Sequence, residues 1–377
     1  MDYSKMAGQL LLFEFAEYPK AEPVDLSKFF VVEESKGDLQ STNTLRDDFL
    51  RTMRGKFTLS QRKSAVEAYI PYMLSLQASI RAAKIPLKKK LEYKWTSGVS
   101  TVHRTFTATT ITFEVVMTLS SQVMILNDLA VHTAQDYLKD KNTQTTVSKD
   151  TWDKTLRDAL QNAKMAIAIC DEISNTHIPT LSIPSTSLPM ECYPHILECI
   201  KLVCEATVQS IIFLLSDLQP ATPLAIGQML LGLSTKYDYL GQKLKANPAD
   251  AKSIKPWWSE QAMFLSGHSK MIAMQYLAQH DFTLPKPEAG RAVCYILEAI
   301  KVNDMHSGLN LIKPVRNSLL QTRTVLSELI QKYQQANQSN YFQPVPPFPP
   351  PGYPSAATIL GQPVTYSAPP LPFTSLK

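Results

Sequence analysis

From about residue 60 onward, apolar residues recur at spacings of three and four along most of the chain, the signature of helices with one buried face. The pattern predicts helices near 60–83, 112–139, 150–175, 193–217, 223–246, 257–281, 288–304 and 315–337. Ser60 and Asp150 stand where N-caps belong, while Asn247-Pro248 and the Pro285 to Pro287 segment break successive helices. Two stretches read as strands instead. Leu91 to Trp95 alternates in polarity, and Thr101 to Ile111 is crowded with β-branched residues, which lose side-chain freedom in a helix. Residues 1–50 read as an extended N-terminal segment.

Long helices joined by short connections can bury their apolar stripes only against sequence neighbours, so the expected architecture is mainly α: antiparallel helix pairs stacked side by side in an elongated, solenoid-like array, with a small antiparallel sheet near its N-terminal part. No fixed repeat length emerges, so the array is irregular. The expectation is a single domain over 1–377, with the helical array at 51–340 and short strands near 91–111. Of the 26 prolines, 11 fall in the last 37 residues, and Pro346-Pro347-Phe348-Pro349-Pro350-Pro351 cannot be helical, so 341–377 is an extended Pro-rich segment. Ile359, Leu360, Val364, Tyr366, Leu371 and Phe373 make it too apolar for a solvated tail, which favours its lying back along the helices.

One helix stands out. Between 193 and 217, Leu197, Ile200, Cys204, Ile211 and Leu215 form a stripe, and Val203, Ile212 and Phe213 carry apolar character around the cylinder. Either this helix is sandwiched on two sides, which the pattern by itself favours, or part of it lines a groove that takes a partner's amphipathic helix.

Composition and charge narrow the function. With 44% hydrophobic and 19% charged residues the chain is globular, and 12 glycines are few for its 377 residues, as helical arrays tend to be. The net charge of +5 hides an asymmetry: residues 51–104 carry 12 Lys or Arg against Glu67 and Glu92, with Lys88, Lys89 and Lys90 in a row. Such a surface suits anionic lipid, nucleic acid or an acidic protein, among which charge does not choose, or is a solvated face without a partner. The five cysteines are odd in number and most lie in apolar helical stretches, which fits a reducing compartment. His195, Cys199 and Cys204 lack a second ligand pair, so no metal is expected. The short apolar run Leu10 to Phe13 has no basic leader and does not read as a signal peptide, and no window approaches 18 uninterrupted apolar residues. No GxGxxG, GxxxxGK[ST], GxSxG, HExxH or DxDxDG pattern occurs, and His132, His177 and His268 are scattered, so no enzyme and no cofactor are expected. Tyr93, Lys94 and Trp95 mingle aromatic and basic character without an RNA-recognition pattern around them, and nucleic acid is not an expected partner.

Several short motifs in order carry a family resemblance. They are Pro23-Val24-Asp25-Leu26 in the opening segment, Leu91-Glu92-Tyr93-Lys94-Trp95-Thr96, Phe113-Glu114 with Leu126-Asn127 and Leu129-Ala130, His177-Ile178-Pro179-Thr180-Leu181, and Tyr341-Phe342-Gln343-Pro344-Val345-Pro346. Together they resemble a Bro domain, the banana-shaped helical module of ALIX-like and BROX-like endosomal adaptors, over nearly the whole chain. The resemblance implies a curved array and a non-catalytic, monomeric cytoplasmic scaffold, recruited to endosomal membranes by docking the C-terminal amphipathic helix of an ESCRT filament subunit in a concave apolar groove. A pH-signalling or Rho-effector adaptor is the alternative within the family, and a helical enzyme without a recognisable motif is the alternative from another class. Carried over by matching the His-Ile-Pro-x-Leu turn, the groove implicates Asp153 and Arg157 as polar residues and Phe213, Ile226 and Leu230 as apolar lining. Ser210 is an equal counterpart of Phe213, and Ser216 stands at a family lysine position. The chain ends Thr374-Ser375-Leu376-Lys377, without the cysteine of a prenylation signal.

Overall fold

The computed structural model describes residues 12–373 except 16, 31–35, 103, 144–146, 182, 184–186, 219–220, 247–251 and 308–312. Leu10 and Leu11, the Asn247-Pro248 break and Thr374 to Lys377 therefore lie outside the described residues. The described helices are α1 (Lys36–Arg54), α2 (Leu59–Arg81), α3 (Ile111–Thr143), α4 (Lys149–Glu172), α5 (Pro194–Leu218), α6 (Pro223–Ala246), α7 (Pro256–Phe282), α8 (Ala289–Ser307) and α9 (Lys313–Ala336). Each packs chiefly on its sequence neighbour, as short connections require. Strands β1 (Tyr93–Trp95) and β2 (Phe106–Ala108) pair antiparallel, Trp95 facing Phe106 and Tyr93 facing Ala108.

Eight of the helices follow the predicted pattern, but α1 lies mostly in residues 1–50, the segment read as extended. Its buried residues are Leu39, Thr42, Arg46, Phe49, Leu50, Thr52 and Met53, of which Leu39, Thr42, Arg46, Phe49, Leu50 and Met53 form the stripe. Two polar side chains interrupt the stripe at helical spacing, so periodicity could not reveal it. Thr42 satisfies its hydroxyl on the Asp38 carbonyl at 2.7 Å, and Arg46 enters a buried ion pair. The caps also differ from those predicted, standing at Thr58 and Ser148 rather than Ser60 and Asp150. Thr58 forms a capping box with Gln61, the Gln61 N–H donating to Thr58 Oγ1 at 3.2 Å and the Thr58 N–H to Gln61 Oε1 at 2.9 Å. Ser148 accepts from the Thr151 N–H at 3.2 Å, leaving Asp150 in the first turn.

The structure gives physical roles to the short motifs. Glu114, fully buried at the start of α3, accepts from Arg46 Nε at 2.7 Å, Trp95 Nε1 at 2.7 Å and Tyr69 Oη at 3.0 Å. It thereby ties α1, α2 and β1 to α3. Residues 20–22 add a rung beside β1, the Thr96 N–H donating to Lys20 O at 2.7 Å and the Glu22 N–H to Lys94 O at 3.0 Å. Asn127 and Asp128 hold the segment before it: Asn127 Nδ2 donates to Phe13 O at 3.3 Å, and the Phe15 N–H donates to Asp128 Oδ1 at 2.9 Å. Phe13 then packs on Trp257 and Trp258 of α7 with ring centroids 5.9 and 5.4 Å apart, so this segment joins α3 to α7.

Gly267 of α7 sits at a close helix crossing. A Cβ there would overlap the His306 ring of α8. Helices α3 and α5 are long and apolar enough to cross a membrane by composition, yet 89% and 72% of their most apolar windows are buried against other helices. The five cysteines are all buried and free.

Beyond α9 the chain turns at Asn337–Tyr341, where Phe342 takes a left-handed φ of 53°, and becomes an extended strap. Gln343 anchors it, accepting from the Gly290 N–H at 3.0 Å and donating to Pro287 O at 2.8 Å. The strap runs back across the array. Ala357 N–H donates to Gln228 O of α6 at 2.9 Å, Gln209 Nε2 of α5 donates to Ala357 O at 3.0 Å, Lys164 of α4 donates to Gln362 O at 2.9 Å, and Phe373 meets Tyr72 of α2 at 6.2 Å between rings. Gly232 makes the α6 crossing possible, because a Cβ there would overlap the Ala357 carbonyl.

Candidate partner groove

Three helices, α4, α5 and α6, share the face that the strap crosses. Along α4 the outward positions are Asp153, Arg157, Leu160, Lys164 and Asp171; along α5 they are Glu198, Lys201, Glu205, Gln209, Ile212 and Ser216. On α6 they include Leu224, Gln228, Lys236 and Lys243. The strap takes the middle position of each helix and divides the face into two lanes.

The lane towards the end of α4 is laced by a ladder of ion pairs, beside a cavity of about 450 Å³ lined by Asp171, His195, Leu197, Glu198 and Lys201. Lys201 reaches Asp171 at 2.5 Å, Lys236 reaches Glu205 at 2.5 Å and Lys243 reaches Glu198 at 3.0 Å, the last two showing that α5 and α6 run antiparallel. The opposite lane is apolar. Leu160, Ile212, Leu215, Leu218, Ala221 and Leu224 are half-buried there, backed by the core but open on one side.

Asp153 and Arg157 stand at the rim of this apolar lane and hold each other in a fork, Arg157 Nε donating to Asp153 Oδ2 at 2.6 Å and Nη2 to Oδ1 at 3.1 Å. The hydrogen bond from Arg157 holds the Asp153 carboxyl below its ordinary range, so both stay charged at neutral pH. The helical spacing and the capped start of α4 place both on its outer face, one turn apart.

The apolar lining implied by the resemblance does not face this lane. Phe213, Leu230, Ser210 and Ile226 are 1%, 0%, 0% and 7% exposed. Phe213 sets its ring edge-on to Tyr276 of α7 at 6.5 Å, and Ser210 donates back to the Ala206 carbonyl at 2.8 Å. Helix α5 is buried around most of its circumference, and its outward row is offset by one residue from Phe213, to Ile212. Ser216 remains half-buried, donating to Phe213 O at 2.6 Å. Ile212, Leu215 and Leu224 were hidden in the sequence because only the packing of α7 shows which side of an all-apolar helix stays open.

Lys88, Lys89 and Lys90 lie elsewhere, all exposed beyond the end of α2. The Lys88 N–H donates to Phe29 O at 2.7 Å, and the Lys89 ammonium stands over the Phe29 ring at 4.6 Å. Among the described residues no group of three His, Cys, Asp or Glu side chains is placed to hold a metal. His132 contacts Glu14 at 2.8 Å and His177 contacts Glu172 at 3.5 Å, the latter with its imidazole held down by burial. Burial pushes the Cys199 thiol up to about 12, which removes thiolate character near His195.

This architecture matches solved Bro domains along nearly its full length. A Bro1 domain solved as the basis for endosomal targeting superposes with a TM-score of 0.67 at 13% identity, covering 96% of this chain and 93% of that one. ALIX in complex with the PYKEVTEDL late domain of SIVmac239 gives 0.71 at 12% identity, over 94% of this chain and 49% of that one. The ALIX BRO1 domain in complex with CHMP4C gives 0.67 at 12% identity, over 94% and 95%. No family model and no curated protein matches the sequence. The chain has a Bro domain fold.

Proposed function

We propose that this protein is a non-catalytic adaptor that seats the C-terminal amphipathic helix of an ESCRT filament subunit in the lane formed by Leu160, Ile212, Leu215 and Leu224, with Asp153 and Arg157 at its rim. The observation that carries this reading is the asymmetry across the strap: half-buried apolar side chains on one side, ion pairs on the other. The ALIX BRO1 domain, whose fold this chain shares, has been solved with such a subunit, CHMP4C, which supports the partner class. A helix laid along the lane buries its own apolar stripe against these four side chains. Each large side chain so buried contributes about 1.5 to 3 kcal/mol, so three or four contacts supply roughly 4.5 to 12 kcal/mol before association and ordering costs.

Recruitment to endosomal membranes would follow from the filament, and the Lys88, Lys89 and Lys90 run adds attraction to an anionic surface. Titration of the protein with C-terminal peptides of ESCRT filament subunits tests the proposal. Binding lost in Ile212→Asp and Leu224→Asp variants that keep the wild-type melting temperature supports it. Binding that persists in both places the partner elsewhere.

A further inference from the structure

The strap contains Pro350-Pro351-Gly352-Tyr353, a Pro-Pro-x-Tyr sequence preceded by Pro346, Pro347 and Pro349. Proline-dense segments favour the polyproline II helix, which aromatic-lined grooves of small recognition domains grip without further ordering cost. In WW domains one part of that groove takes the prolines and an adjoining pocket takes the tyrosine ring. SH3 domains read Pro-x-x-Pro with a basic flank instead. Between Lys332 and Lys377 the chain has no Lys or Arg, so the sequence fits the first kind of groove and not the second.

The fold holds these four residues in a form that no such groove can take. The Tyr353 N–H donates to Pro350 O at 3.0 Å and Gly352 has φ +70°, which makes a tight turn with a left-handed third residue instead of an extended helix. Pro350 is buried, and the Tyr353 ring meets Phe348 edge-on at 5.2 Å and Tyr295 of α8 at 6.2 Å. Hydrogen bonds anchor the strap on either side, at Gln343 and at Ala357. Between them the seat is built from rings, with Lys270 over Phe348 at 5.0 Å. Pro347, Pro349, Pro351 and Gly352 face solvent, so the segment can peel outward without unpacking the helices.

We propose that residues 349–354 are a masked docking motif for a WW domain, bound only when the turn at Pro350–Tyr353 opens and the strap leaves its seat on α8. The seated state lowers apparent affinity by the fraction of molecules in which the strap is open, each tenfold loss corresponding to about 1.4 kcal/mol of seating free energy.

The test compares a WW domain of known Pro-Pro-x-Tyr preference against a synthetic peptide of residues 344–357, the same peptide with Tyr353→Ala, the full chain, and full chains carrying Gln343→Ala or Gly232→Ala. The first of these variants removes the anchor before the motif, and the second drives the Ala357 carbonyl off α6. The peptide is expected to bind and its Tyr353→Ala form not to. The full chain is expected to bind about tenfold or more weaker than the peptide, and at least one strap variant to recover about threefold or more of that loss. A peptide that does not bind, or binds equally without its tyrosine, overturns the assignment. So does a full chain that matches the peptide, or two strap variants that bind no tighter than the intact chain.

Discussion

Replacing Glu114 with Gln keeps the volume and removes one buried charge, which isolates the worth of the centre joining α1, α2, β1 and α3. Glu114 and Arg46 have fully buried side chains, their nearest atoms 2.7 Å apart, and Trp95 and Tyr69 also donate to the carboxylate. An amide offers one acceptor where the carboxylate offers two, so one of these donors would face an NH2 group, and Arg46 would become a buried cation without its counter-charge. Breaking a buried pair in this way costs about 3 to 5 kcal/mol, of the order of a third of a domain's stability. Unfolding entropy scales at about 2.1 cal/mol/K per residue, or about 0.8 kcal/mol/K for a chain of this length, so the melting temperature should fall by about 4 to 6 °C. Differential scanning calorimetry measures it. The double variant Arg46→Met with Glu114→Gln removes both charges but leaves an amide oxygen to accept from Trp95 and Tyr69, and should recover most of the loss, since it strands no ion. A Glu114→Gln shift of under about 1 °C, or a double variant less stable than the single one, would refute the view that desolvated charge, not shape, governs this centre.

Three further outcomes are expected. Phe213→Asp and Leu230→Asp should unfold the domain, seen as lost helical circular dichroism, because each puts a carboxylate into a core with no exposure, whereas Ile212→Asp should leave the spectrum unchanged. Asp128 is pushed up to about 7 by burial, against the donors Phe15 N–H and Tyr18 Oη, so the folded state prefers it protonated and its contribution to stability is lost as pH rises from about 4 through 7. Asp128→Asn accepts from Phe15 and donates to Tyr18 without ionising, and should stabilise the protein above pH 7 with a gain that shrinks towards pH 4, read from melting temperatures across that range. Lys88, Lys89 and Lys90 all changed to Glu should release the protein from phosphatidylserine vesicles at low salt and leave filament-peptide affinity unchanged, each lysine near the surface adding about 1 kcal/mol of attraction. Vesicle binding that ignores both the substitution and added salt would mean that the run is a solvated face.

Eight of the nine described helices were legible in the chain, because each long apolar stripe has a period that only a helix satisfies, and so were the strand pair around Trp95 and the extended course of the proline-dense strap. The sequence concealed α1, whose inner face carries Thr42 and Arg46, because a polar residue earns a core position only through a partner distant in the chain, here Glu114, 68 residues away. It also concealed the open lane. Helix α5 is apolar all round, so its pattern shows how much surface must be covered but not by what, and the choice between Ile212 and Phe213 as the outward residue was decided by where α7 and the strap came to rest. Periodicity is a local property of the chain, whereas exposure is a property of the neighbours, and those are set only when the array closes.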